Sequence, residues 1–206
     1  MKKTLILFLT ALTIMSFSSV TVDSDPFIVI VDAGHGGDDS GTQVGEIKEK
    51  ELTFSIAKKL QELADGKDIK IVLTRRTDDN MSLNERTELT NDFRGDVLVS
   101  LHVDADAKSS KSGIDCYVSE SNSTSNLSKT FGAILINNFK TLDGIGVNEM
   151  KTAKFHLLNN IEIPSVLIEL GYLTSVSDFN YLTNKNNQDI LAEKIFKSVQ
   201  EFKKSK

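Results

Sequence analysis

Four residues able to do chemistry stand at points where strands or helices should begin or end. His35 lies in Asp32-Ala33-Gly34-His35-Gly36-Gly37, a glycine-rich turn directly after the apolar run Phe27 to Val31. His102 falls at the end of a second apolar stretch, Asp96 to Val103, and Glu169 near the end of a third, Ile163 to Leu173. A carboxylate without a partner is costly in such apolar surroundings. Glu49 opens a segment of helical pattern, with Glu46 and Glu51 as rivals for any role there. Two imidazoles and one carboxylate form a borderline-soft, three-donor set that suits Zn²⁺ and leaves a fourth position for water. Water in such a site is acidic enough to attack a carbonyl near neutral pH. A further carboxylate, free of the metal, is then needed to take the proton and pass it to the leaving nitrogen.

Each residue also has a plainer reading. His102 can be a hydrogen-bonded histidine at a strand terminus, and an acid in a first helical turn is favoured by the helix dipole alone. The glycines can form a sharp turn that merely exposes His35. His156 alternates with Phe155 and Leu157 and reads as a surface position on a strand. Asp32 either orients a ligand from behind or caps the turn. Arg75 and Arg86 read as structural ion pairs rather than substrate contacts.

Whether the four residues meet depends on the elements that carry them. Apolar runs predict strands over 27–31, 69–73, 96–103, 114–118 and 165–170, with a short edge strand over 154–158. Leu52, Ile56, Leu60 and Leu63 recur at helical spacing and predict a helix over 49–63. Ser82 followed by Glu85 reads as a capping box opening a short helix with Leu83, Arg86 and Leu89 on one side, ending near Phe93. Further helices are predicted over 127–139 and 190–202. Alternating strands and helices define an α/β sandwich with a largely parallel sheet and right-handed crossovers. In a parallel sheet His35, His102 and Glu169 gather at one edge together with the amino end of the 49–63 helix, where such folds place their ligands.

Lys2 and Lys3, an uncharged apolar run from Thr4 to Phe17, and a small polar segment after it have the layout of a secretory signal peptide over residues 1–24. Residues 25–206 then form a single exported domain, periplasmic or extracellular, with no further membrane attachment. The formal charge of −5 gives it no electrostatic reason to seek nucleic acid or an anionic membrane. Cys116 is the one cysteine, so neither an internal disulfide nor a thiolate cluster is available, and its alternating surroundings predict a buried strand residue.

Five segments together resemble the successive blocks of the zinc-dependent N-acetylmuramoyl-L-alanine amidases of type 3. They are Asp32 to Gly37, Glu49 to Leu52, Leu73 to Arg75, Ser100 to Ala105 and Pro164 to Leu173, spread over nearly the whole chain from Phe27 to Phe202. The resemblance implies a three-layer sandwich with a mainly parallel, six-stranded sheet. It implies that His35, Glu49 and His102 hold one zinc, choosing Glu49 over its rivals, and that Glu169 is the catalytic acid/base. It implies as substrate peptidoglycan or its muropeptide fragments, cut between N-acetylmuramic acid and L-alanine; the chain is expected to be a monomer. Ala33, Asp104, Asn159 and Ser175 depart from the family's usual Pro, Asn, Arg and Asn. The same donor set acting on another bond would make a carboxypeptidase or deacetylase, and without turnover a wall-binding module.

Overall fold

The computed structural model describes residues 25–108 and 110–206. The segment read as a signal peptide lies outside them. Six strands form the main sheet: β1 (Phe27–Ala33), β4 (Ile69–Leu73), β5 (Val97–Asp104), β6 (Asp115–Val118), β7 (Lys151–Thr152) and β8 (Ser165–Tyr172). Their order is β4-β1-β5-β8-β6-β7. β4, β1, β5 and β8 run parallel, β6 is antiparallel to β8, and β7 is parallel to β6. A two-residue hairpin, β2 (Gln43–Val44) with β3 (Ile47–Lys48), leads into α1 (Glu49–Leu63). The other helices are α2 (Leu83–Asp92), α3 (Ser125–Phe139), α4 (His156–Asn160), α5 (Val176–Thr183) and α6 (Lys185–Ser205).

Alternation along the strands sorts side chains onto two unequal faces. Val29, Val31, Val97, Val99, Leu101, Val166 and Ile168 point to one face and join Ile56 and Leu60 of α1, Phe131 and Leu135 of α3 and Ile195 and Val199 of α6 in the principal core. Ile30 and Leu98 point to the other, where they pack with Leu157, Ile161 and Ile163. α2 and α4 cover this thinner layer. Its continuation toward the carboxyl ends of the strands is polar: Asp32, Ser100 and Glu169 all follow the same alternation. The large core holds the sheet, which frees the smaller face for chemistry.

One expectation needs correction. Residues 154–158 are not a strand: β7 at Lys151–Thr152 supplies the edge, pairing with Tyr117 and Val118. The chain then turns into α4, because Leu157 and Leu158 are both buried, and consecutive burial does not suit a strand with one covered face. His156 is exposed, as expected, but begins a helix. α2 has its capping box, yet Leu83 is 56% exposed, while Arg86 and Thr90 are the residues it buries. The sheet beneath α2 presents Asp32, so the helix turns an arginine inward rather than a leucine. α5 had no sequence counterpart; Ser175 caps it by accepting from the Asp178 amide at 3.4 Å.

Candidate active site

β1 ends at Ala33 and the chain turns through Gly34 into His35, which holds the left-handed φ of 62° that few non-glycine residues adopt. Arg86 fixes this strained turn from below. Its Nη2 donates to the His35 carbonyl at 2.6 Å, and its Nη1 donates to the Ala33 carbonyl at 2.9 Å and to Asp32 Oδ1 at 2.6 Å. Asp32 also accepts from the hydroxyls of Thr74 and Ser100 at 2.8 Å each. Burial works to raise the Asp32 pKa, but Arg86, with further help from His102 and Ser100, holds it below the usual carboxylate range. Arg75 donates to the carbonyls of Ala33 and Lys50, tying the turn to the start of α1. Both arginines are thus structural, and Asp32 anchors the turn through Arg86.

The turn, β5 and the start of α1 bring three donors together. One ligand atom each from His35, Glu49 and His102 lies within 4.8 Å of the others. Glu49 Oε1 stands 3.1 Å from His35 Nε2 and 3.0 Å from His102 Nδ1, and accepts the Val103 amide at 2.9 Å. Its Oε2 accepts the Thr42 amide at 2.8 Å, so the hairpin before α1 fixes the carboxylate. Glu46 and Glu51 are exposed and stand outside the cluster. Two glycines make room: a Cβ on Gly34 would lie 2.6 Å from His102 Cε1, and one on Gly41 would lie 2.6 Å from His35 Cδ2. The donor types and their convergence fit a borderline divalent cation.

Asp39 was not singled out in the sequence. Its Oδ2 lies 2.7 Å from His35 Nδ1 and its Oδ1 accepts the Gly41 amide at 3.0 Å, leaving Nε2 as the ring atom turned to Glu49. A carboxylate four residues after a histidine in a tight loop was the available signal. Burial lowers the His35 pKa, but Glu49 and then Asp39 overcome it and carry it to about 9. Glu49 moves the other way: burial raises its pKa, yet its contacts with His102 and His35 hold it far below normal.

Glu169 pairs in register with His102 across β5 and β8. Its Oε2 is buried without a hydrogen-bond partner. Burial pushes its pKa up to about 8, with the charges of Glu49 and Asp104 adding to the rise and His102 opposing it. Asp104 therefore favours the protonated form of Glu169. Asn159 accepts from the Ser119 hydroxyl at 2.5 Å and the Ser121 hydroxyl at 3.1 Å. Cys116 is fully buried in β6 and its thiol is pushed up to about 12 by burial. His156 stands apart from the donor cluster but lines the cleft of about 400 Å³ that opens from it.

An α/β sandwich whose carboxyl edge gathers His–Glu–His donors beside a free buried carboxylate has the layout of a metal-dependent hydrolase. The family model described as N-acetylmuramoyl-L-alanine amidase matches residues 29–201. The chain belongs to that family. It is 27% identical over 201 residues to a putative N-acetylmuramoyl-L-alanine amidase of Buchnera aphidicola, covering 82% of this chain and 92% of that protein. With the amidase LytC of Bacillus subtilis it shares 30% identity over 170 residues, covering 81% of this chain and 34% of LytC. Among solved structures, the N-acetylmuramoyl-L-alanine amidase from Clostridium difficile 630 superposes with a TM-score of 0.83 at 33% identity, covering 89% of this chain and all of that one. Among the described residues, no helix is long and apolar enough to cross a membrane.

Proposed function

We propose that the protein is an exported zinc hydrolase that cuts the amide between the lactyl group of N-acetylmuramic acid and L-alanine in peptidoglycan or its fragments. His35, Glu49 and His102 hold the zinc, and Glu169 moves the proton. Residues 1–24 are its export leader, and it acts as a monomer. What zinc supplies in such a site is Lewis acidity, which polarises a carbonyl and acidifies water. Glu169 takes a proton from the attacking water at its carboxylate and delivers it to the departing alanine nitrogen. A carboxyl whose pKa burial raises is suited to both halves of that transfer near neutral pH. Asp39 orients His35 through Nδ1, and the Arg86–Asp32 pair keeps the turn that carries it in place.

The observation that carries this reading is the partnerless Oε2 of Glu169, buried in register with a histidine of the donor cluster. A buried polar atom with nothing to bond is costly to folding and is retained where function needs it. Digestion of purified sacculi, with products read by mass spectrometry, tests it. The parent should free intact stem peptides from glycan, while metal-stripped protein and Glu169→Gln should free at least a hundredfold fewer. Cleaved cross-links or de-acetylated sugars as the only products would replace the amidase reading with a peptidase or deacetylase.

A further inference from the structure

Beyond the donor cluster, Glu169 and the groups around Asp32, the cleft is lined by five apolar side chains with the polar Asn80, Ser82 and His156 among them. Met81 and Leu83 at the start of α2 form one wall, Phe155 and Leu157 around the start of α4 the opposite one, and Leu167 the floor. Leu83 is 56% exposed and Phe155 36%, large apolar side chains left open at the mouth. Phe155 is braced edge-on against Tyr117, with ring centroids 5.3 Å apart. A space of about 400 Å³ suits one sugar-sized ligand.

The charges lining the cleft narrow the choice of ligand. Arg86 is the one lysine or arginine among its lining residues, and its guanidinium is spent on Asp32 and on the carbonyls of Ala33, His35 and Met81. No lysine or arginine lining the cleft is left to pair with the free carboxylates of a stem peptide, and His156 is its one further basic side chain outside the donor cluster. The opposite flank of Glu169 differs. Asp115 of β6 pairs with Glu169 in register and holds Lys151, whose side chain is 45% exposed.

We propose that the cleft between α2 and α4 is the subsite for the glycan side of the scissile bond. Its occupant is the uncharged muramyl ring with its acetamido and lactyl methyl groups, held between Leu83 and Phe155. The stem peptide then leaves across the β6–β7 flank. This inference rests on the amidase reading above and assigns a direction to the substrate within it.

Two substrates sharing the scissile amide test it: an N-acetylmuramoyl peptide and the same peptide carrying only an N-lactoyl group. The parent should favour the ring-bearing substrate in kcat/KM. Phe155→Ala and Leu83→Ala should each cut that preference about tenfold, chiefly through KM, as expected for losing one apolar contact face. Leu127→Ala, an exposed residue of α3, should keep the preference. A parent without preference, or a ratio unchanged in both cleft variants, overturns the proposal. Should the parent cleave neither substrate, the amidase reading falls instead. The subsite is then judged by titrating the protein with the primary amide of N-acetylmuramic acid. Shifted NMR signals of the Leu83 methyls support it, and unmoved signals overturn it.

Discussion

Replacing Glu169 by Gln should stabilise the metal-free protein while abolishing its activity. The carboxyl pKa rises from the ordinary 4.5 to about 8 on folding, chiefly through burial. Between those values the folded chain holds a proton that the unfolded chain has released, so stability falls as pH rises through the window. At about 1.4 kcal/mol per unit, the native carboxyl costs about 3 kcal/mol at pH 7. Gln is neutral throughout but still places a polar atom where Oε2 has no partner. A protonated Glu169 leaves a polar atom in the same place, so the expected gain is close to zero at pH 4 and about 4 kcal/mol at pH 8. Urea denaturation of chelator-treated parent and variant at pH 4, 6 and 8 measures the difference. Taking it variant against parent largely cancels the contribution of His35, which has the same sign: its raised pKa stabilises the fold below about 6.5 and loses that effect as pH rises through about 9. A gap that is flat with pH, or a variant less stable than the parent at pH 8, would refute the burial argument.

Asp39→Asn should weaken zinc binding about tenfold in competition with a chromogenic chelator, the low end for an outer carboxylate, because the Asp39 side chain is 59% exposed. Affinity within twofold of the parent would show that the contact to His35 Nδ1 does not tune the metal. Arg86→Met leaves Asp32, 1% exposed, with only two hydroxyl partners. Urea denaturation should report a loss of about 3–5 kcal/mol, and a loss below about 1 kcal/mol would mean that the buried pair is not what holds the turn.

The strands that carry the site were legible because β1, β5 and β8 are covered on both faces along most of their length and read as nearly unbroken apolar runs. Their parallel pairing followed from the helices between them, and with it the meeting of His35, His102 and Glu169. Glu49 could not be separated from Glu46 and Glu51 by pattern alone, since all three are acids near one helix start. What separates them is the Thr42 and Val103 amides pointing at a single carboxylate, contacts made by residues distant in sequence. α4 was misread because Phe155-His156-Leu157 alternates like a strand over only three residues, too short a window to reveal the burial of Leu157 and Leu158 together. That α2 turns Arg86 rather than Leu83 inward was not legible, because periodicity says which residues share a face but not that the sheet opposite offers a carboxylate. The cleft was invisible for the same reason, as its walls come from two helices that meet only in the folded chain.

Anomalous diffraction on zinc-loaded crystals, recorded above and below the zinc absorption edge, tests the central assignment most directly. One strong peak is expected, within about 2.0–2.2 Å of an imidazole nitrogen of His35, an imidazole nitrogen of His102 and a Glu49 oxygen, with Glu169 beside it but not bound. A peak coordinated by Glu169 in place of Glu49, or no peak among these residues at full zinc occupancy, would contradict it.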